Sequence, residues 1–226
     1  MINLRKFFKS SNTKSSIINL VDIFEVDRVW LLITNEFETY SKVRNRPRMD
    51  REELSFHSDV KLLGHLCLQL EGVPGAIVEI GVWKGKSLAF MERLSKDTKI
   101  IGIDPCEIEG QTEELNFFHE HIFKNAIVIE NYSEFALLQI LDFTKNIKLL
   151  HIDGGHERKN VILDFLLYSP LLVSGGYVVF DDYGDNKYSP QVRPAVDMLI
   201  KNGFTSEFHL LGQIKEYPNS FVMRKL

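Results

Sequence analysis

The sequence predicts an α/β protein: a doubly wound, Rossmann-like sheet with a C-terminal antiparallel hairpin and a helical N-terminal lobe. Three observations carry that expectation. Beyond residue 75, short apolar runs at 76–80, 100–103, 127–129, 147–152 and 177–180 alternate with stretches of helical periodicity. These runs are apolar on both faces, as parallel strands covered by helices on both sides must be. The last two runs, at 204–211 and 221–223, are joined by too few residues for a crossover helix and should pair antiparallel. With 226 residues, 44% of them apolar and 16 of them Phe, the chain can bury the core this needs.

Taken in order, residues 17–42 carry apolar residues at helical spacing, with Ile18, Val21 and Phe24, then Val29, Leu32, Ile33 and Phe37. This predicts two helices. A loop rich in Arg and Pro follows. A third helix is expected over 58–70, with Val60, Leu63, Leu66, Cys67 and Leu70 on one face. Glu71-Gly72-Val73-Pro74-Gly75 stops it. Helices are then expected between the strands at 86–96, 112–124, 133–143 and 157–168, and after the fifth strand at 191–202. The expected division is a helical lobe over 1–72, contributing acceptor or oligomer contacts, and a sheet domain over 73–226.

The net charge of -4 hides an asymmetry. Residues 1–51 hold 10 Lys+Arg against 6 Asp+Glu, a net of +4, and the remainder carries -8. The acidic whole argues against a partner bound through its phosphate backbone, so no nucleic acid is expected. Arg44, Arg46, Arg48 and Arg51 could dock an anionic ligand, although a solvated basic linker explains them more plainly. The basic-aromatic segment at residues 4–9 is too short to hold a membrane. No apolar run approaches the ~20 residues of a membrane span, and no secretory apolar region follows the first charges. Two cysteines, Cys67 and Cys106, are too few for a disulfide framework, so a reducing, cytoplasmic setting is expected.

The turn after the first strand reads Glu79-Ile80-Gly81-Val82-Trp83-Lys84-Gly85-Lys86-Ser87. Ligands of open α/β sheets bind at such strand ends. A phosphate-binding P-loop needs four residues between its glycines, and here there are three. A dinucleotide fingerprint needs glycine where Trp83 stands. Both are rejected. S-adenosylmethionine (SAM) has different needs, because a sulfonium and an amino-acid end replace the pyrophosphate. Glu79 at the strand end can serve the amino group, and Asp104 past the second strand can accept ribose hydroxyls. Gly81 and Gly85 let the backbone approach the ligand.

His151-Ile152-Asp153-Gly154-Gly155-His156 closes the fourth strand, and Phe180-Asp181-Asp182-Tyr183 the fifth. Parallel strands end at one edge, so Asp153, Asp181 and Asp182 should converge. Two carboxylates ~5 Å apart repel by roughly 3 kcal/mol at an effective dielectric near 20. An all-oxygen set therefore points to a hard divalent ion, with Mg²⁺ the default. Capping of the following loop or helix would explain each acid singly. His156, one short turn past Asp153, suits proton removal near neutrality. His119 and His121 fall on a helical stretch and read as surface. Glu107, Glu109, Glu113 and Glu114 read as a lid or as a charged surface loop.

Together these motifs resemble the class I SAM-dependent methyltransferases, and within them the macrocin/mycinamicin-type sugar O-methyltransferases with their cephalosporin hydroxylase-like relatives. The resemblance spans roughly residues 73–196. It rests on Val78-Glu79-Ile80-Gly81-Val82-Trp83-Lys84-Gly85, Ile101-Gly102-Ile103-Asp104, Ile152-Asp153-Gly154-Gly155-His156 and Phe180-Asp181-Asp182-Tyr183. It implies cofactor contacts from Glu79, Gly81, Val82, Gly85, Ser87 and Asp104, with Ser133 near the adenine. It also implies a divalent ion on Asp153, Asp181 and Asp182, with Asp153 and His156 catalytic. Two positions depart from the family pattern: Gly155, where many relatives carry an acid, and Glu157-Arg158, where an aromatic is common. The implied activity is metal-assisted methylation of a hydroxyl on a sugar, glycan or glycosylated metabolite, by a homo-oligomer. A phenol, catechol or nitrogen acceptor, or a binding protein that has lost catalysis, are the alternatives.

Overall fold

The computed structural model describes residues 20–43 and 60–226. The Arg44–Arg51 cluster and the basic segment at 4–9 lie outside the described residues. Five strands are parallel: β1 (Ala76–Ile80), β2 (Ile100–Asp104), β3 (Ile127–Glu130), β4 (Ile147–Ile152) and β5 (Leu172–Phe180). Two more, β6 (Phe208–Ile214) and β7 (Tyr217–Lys225), form a hairpin whose second strand pairs antiparallel with β5. The sheet order is β3-β2-β1-β4-β5-β7-β6. The winding direction therefore reverses between β1 and β4, the place where open α/β sheets take their ligands.

The central strands are mostly apolar because both faces are covered, with Glu79, Asp104, Lys148 and His151 as their buried polar exceptions. Every residue of β1, β2 and β4 is buried. One face packs on α3 (Lys86–Leu94) and α4 (Gln111–His121), and the other on α5 (Ser133–Phe143), α6 (Arg158–Tyr168) and α7 (Val192–Lys201). Alternate residues of one strand serve opposite faces: Ile77 joins the first core, while Val78 and Ile80 join the second.

The N-terminal helices belong to the first of these cores. α1 (Leu20–Val43) is one continuous helix of 24 residues, not the two expected. Val26, Val29, Ile33 and Phe37 are its buried stripe, and no glycine or proline interrupts the backbone between them. Phe24 and Leu32, counted toward the expected apolar faces, are instead 83% and 40% exposed. Phe37 stacks on Phe118 at 4.5 Å, and Trp30 meets Phe90 edge-on at 5.1 Å. α2 (Lys61–Gln69) packs beside them and buries Leu62, Leu63 and Leu66. No described helix is long and apolar enough to cross a membrane.

Candidate active site

The carboxyl ends of the parallel strands are laced together beyond the strands themselves. Gly81 N donates to Ile103 O at 2.9 Å, Asp153 N to Ile80 O at 2.8 Å, and Asp181 N to Ile152 O at 3.0 Å. The turns after β1, β4 and β5 are thereby held side by side. Gly81 has φ 88°, and a Cβ there would sit 2.0 Å from the Asp153 carbonyl oxygen. Only glycine lets the first turn lie against the fourth strand this closely.

A cavity of about 990 Å³ opens over these turns. Its walls include Gly81, Val82, Ser87, Asp104, Ser133, Asp153, His156, Asp181 and Asp182. Two residues expected to meet the cofactor stand behind the wall. Gly85 faces Phe123, whose ring would lie 2.3 Å from a Cβ placed on it. Glu79 is fully buried and pairs with His151, its register neighbour on β4, with Nδ1 2.9 Å from Oε1. Its other oxygen has no hydrogen-bond partner.

Asp104 organises the β1 turn. Its Oδ2 accepts the amides of Val82 and Trp83 at 2.8 and 2.9 Å. Its Oδ1 accepts the Cys106 amide at 2.8 Å and Gln111 Nε2 at 3.0 Å. Four donors match the roughly four lone-pair sites of a carboxylate. Lys84, buried in the same turn, pairs with Glu114 at 3.3 Å. Of the other acids between 107 and 114, Glu107 lines the cavity and accepts the Tyr132 hydroxyl.

The acids of β4 and β5 have fewer donors. Asp182, held at φ 57°, accepts the Ser189 hydroxyl at 2.6 Å and Asn219 Nδ2 at 2.9 Å. Asp181 accepts the Ser220 hydroxyl at 3.0 Å. Among the described residues, Asp153 has His156 Nε2, 3.7 Å away, as its one positive partner within 4 Å. Burial, followed by repulsion from Asp181, pushes the Asp153 carboxyl up to about 7. Asp181 is also raised, chiefly by burial. His151 responds in the opposite sense. Burial works against its charge, but the hydrogen bond and charge of Glu79, with Asp153 and Asp181 nearby, raise it to about 9.

His156 is set by two contacts. Ser189 Oγ lies 2.8 Å from its Nδ1 while donating to Asp182, so that oxygen accepts the Nδ1–H. Nε2 then faces Asp153 and Asp182, at 3.7 and 3.5 Å. His156 is raised, first by the neighbouring Asp153 carboxylate.

Ligand atoms from His151, Asp153 and Asp181 lie within 4.8 Å of one another, and so do those from Asp153, His156 and Asp182. Asp153 is common to both sets. Crowded carboxylates with few donors are a set whose chemistry would suit a hard divalent cation. His119 and His121 are exposed and spend one ring nitrogen each on the Ala126 and Phe117 carbonyls.

Residues 78–183 match a family described as a methyltransferase domain. The uncharacterized protein R132 of Acanthamoeba polyphaga mimivirus is 41% identical over 174 residues, covering 74% of this chain and 78% of that one. The chain belongs to the methyltransferase-domain family. Solved structures share the fold of this methyltransferase. CalS11, described as a TDP-rhamnose 3'-O-methyltransferase, covers 98% of each chain at 22% identity with a TM-score of 0.59. The O-methyltransferase NovP covers 74% of this chain and 78% of its own at 19% identity, with a TM-score of 0.59. An O-methyltransferase of Bacillus cereus, solved with S-adenosylhomocysteine (SAH), covers 91% and 96% at 14% identity, with a TM-score of 0.61.

Sequence reasoning did not single out His151, Gln111 and Ser189, whose side chains contact Glu79, Asp104 and Asp182 at the strand ends. His151 had a signal. It stands two residues before Asp153, on the same face of β4. Ser189 and Gln111 reach the site from loop and helix positions that no spacing rule connects to it.

Proposed function

We propose that this SAM-dependent methyltransferase methylates a hydroxyl of a sugar, glycan or glycosylated small molecule, with a divalent cation held by Asp153, Asp181 and Asp182. The observation that carries this reading is the concentration of carboxylates with few donors at the β4 and β5 ends of a cavity that Gly81 joins to Ser87 and Asp104. The sugar acceptor is favoured by the likeness in fold to CalS11 and by the motifs around Asp153 and Asp181. When bound, the cation would neutralise the acids and polarise the acceptor hydroxyl as a Lewis acid.

The chain's own residues supply the rest. The Ser189 oxygen holds the Nδ1–H of His156, leaving the lone pair on Nε2, on the side of Asp153 and Asp182. Nε2 takes the proton as the acceptor oxygen bonds to the methyl carbon and the carbon–sulfur bond breaks, giving SAH. Glu79 and His151 fix the β4 end from behind. Alignment of oxygen, methyl and sulfur is worth several kcal/mol, up to roughly 10.

The test is incubation with isotopically methyl-labelled SAM and a panel of nucleotide sugars, oligosaccharides, catechols and amines, with products read by mass spectrometry. Label on a sugar hydroxyl is the expected result. Label confined to catechols or amines would replace the acceptor class, and no label with any class would favour a binding protein.

A further inference from the structure

The helices on the two faces of the sheet are finished differently. On the first face α1 lies over α3 and α4, with Trp30 against Phe90 and Phe37 against Phe118. Among the described residues no helix lies over α5 and α6 in this way, and their outer side chains face water. Yet α5 is built to be covered. Seven of its eleven residues are apolar and are spread around the helix, while only Ala136 and Ile140 are buried. A helix that is apolar all round is normally buried all round. Phe135 and Leu138 are instead 66% and 76% exposed, and Tyr132 and Phe143 at the two ends are open as well. Tyr132 meets Phe135 edge-on at 6.4 Å, so these rings form one patch. α6 lies alongside, tied by the Tyr168 hydroxyl donating to the Ser133 carbonyl at 2.6 Å, and adds exposed Leu163 and Leu166. Scaled by exposure, the six side chains present on the order of 500 Å². That is over half of the roughly 800 Å² each partner buries in a standard interface.

The charges around the patch select its occupant. One end is acidic, with Glu134 in the first turn of α5. The other is basic, with exposed Lys145 just past the helix and Lys99, whose Nζ donates to the Phe143 carbonyl at 2.9 Å. Asp142 is exposed in the last turn. A lipid surface would need a basic rim, and Glu134 and Asp142 oppose it. A second copy of the chain fits. Turned end for end about a twofold axis through Leu138, α5 lays Glu134 toward Lys99 and Lys145 of the partner subunit, and the symmetry repeats the pairing. Asp142 is then directed to the amide end of the facing helix, where a negative charge is favoured. We propose that the outer face of α5 and α6 is an isologous dimer interface of this chain, with Leu138 near its axis.

Sedimentation equilibrium with the full-length protein tests this without cofactor or acceptor. Wild type should sediment as two chains at micromolar concentration. Leu138→Glu alters a side chain that the fold leaves in water and sets two like charges on the axis, so it should raise the dimer Kd about a hundredfold or more. Charge reversal reads the arrangement separately. Glu134→Lys and Lys145→Glu should each raise the Kd about tenfold, and the two together should recover most of the loss. If Leu138→Glu does not fold, as a melting curve would show, the reversal series decides alone. A wild type that stays monomeric at about 100 μM would overturn the interface, and so would a dimer that persists in folded Leu138→Glu. Single reversals without effect, or without recovery in the double variant, would overturn the end-for-end pairing of α5.

Discussion

At the end of β2, Asp104 accepts four donors from its own chain. At the ends of β4 and β5, Asp153 has His156 at 3.7 Å, and Asp181 has one serine hydroxyl and the Asp182 amide. Both groups of acids occupy the same place in the fold, the carboxyl edge of parallel strands. One is satisfied internally and shapes a loop; the other is left short of positive partners and calls for a cation. The address of a carboxylate on a sheet therefore does not settle its role. The count of donors around it says more.

The largest break in this contrast should come from Asp153→Asn. Removing the charge shared by both ligand sets should lower turnover about a thousandfold, the several kcal/mol that a Lewis acid supplies. SAH affinity, read by calorimetry, should change less than about threefold. A comparable loss of SAH affinity would mean the two ends are not separable. Gly81→Ala attacks their joint instead. With φ 88° and a Cβ 2.0 Å from the Asp153 carbonyl, it should destabilise the fold by about 3 kcal/mol or more in urea titrations. Both SAH and Mg²⁺ binding should suffer.

Asp104→Asn should act on one end alone. One oxygen replaces two, and the unserved donors cost about 1–3 kcal/mol of stability. SAH binding should weaken while the melting shift induced by Mg²⁺ is preserved.

The smallest effect is a pH dependence at the acid end. His151 is raised from 6.5 to about 9, so its stabilising charge is fully present below 6.5 and is lost as pH rises through 9. Asp153, raised from 3.8 to about 7, is held neutral by the fold, which loses ground to the unfolded chain as pH climbs between those values. Both signs agree. The melting temperature without divalent ion should fall from pH 5.5 to 8.5, and Mg²⁺ should restore more of it at 8.5. An equal Mg²⁺ shift at both values would contradict the assignment.

The sheet was legible because its strands are buried on both faces. The runs at 76–80 and 147–152 coincide with β1 and β4 residue for residue. The hairpin strands match their apolar runs less well: β6 begins and ends later than the run at 204–211, and β7 extends beyond 221–223 at both ends, because their outward-facing residues carry no hydrophobic signal. The single helix α1 was obscured because the buried stripe runs through Val26, which the apparent spacing passed over. In the site, the shared address of Asp153, His156, Asp181 and Asp182 followed from strand order alone. The donors around these acids did not. Asp104 takes the Val82, Trp83 and Cys106 amides and Gln111 on α4, while Asp181 and Asp182 take Ser189 before α7 and Asn219 and Ser220 on β7, which only packing brings to the edge. The partner of Glu79 is equally invisible in the sequence, because the histidine that meets its Oε1 lies 72 residues away.

Methyl transfer measured before and after EDTA treatment, on the acceptor class that takes label, tests the metal-assisted reading most directly. The reading predicts that EDTA abolishes transfer to a hydroxyl, that Mg²⁺ restores it, and that SAH still binds the EDTA-treated protein. Transfer that continues undiminished in EDTA would contradict it.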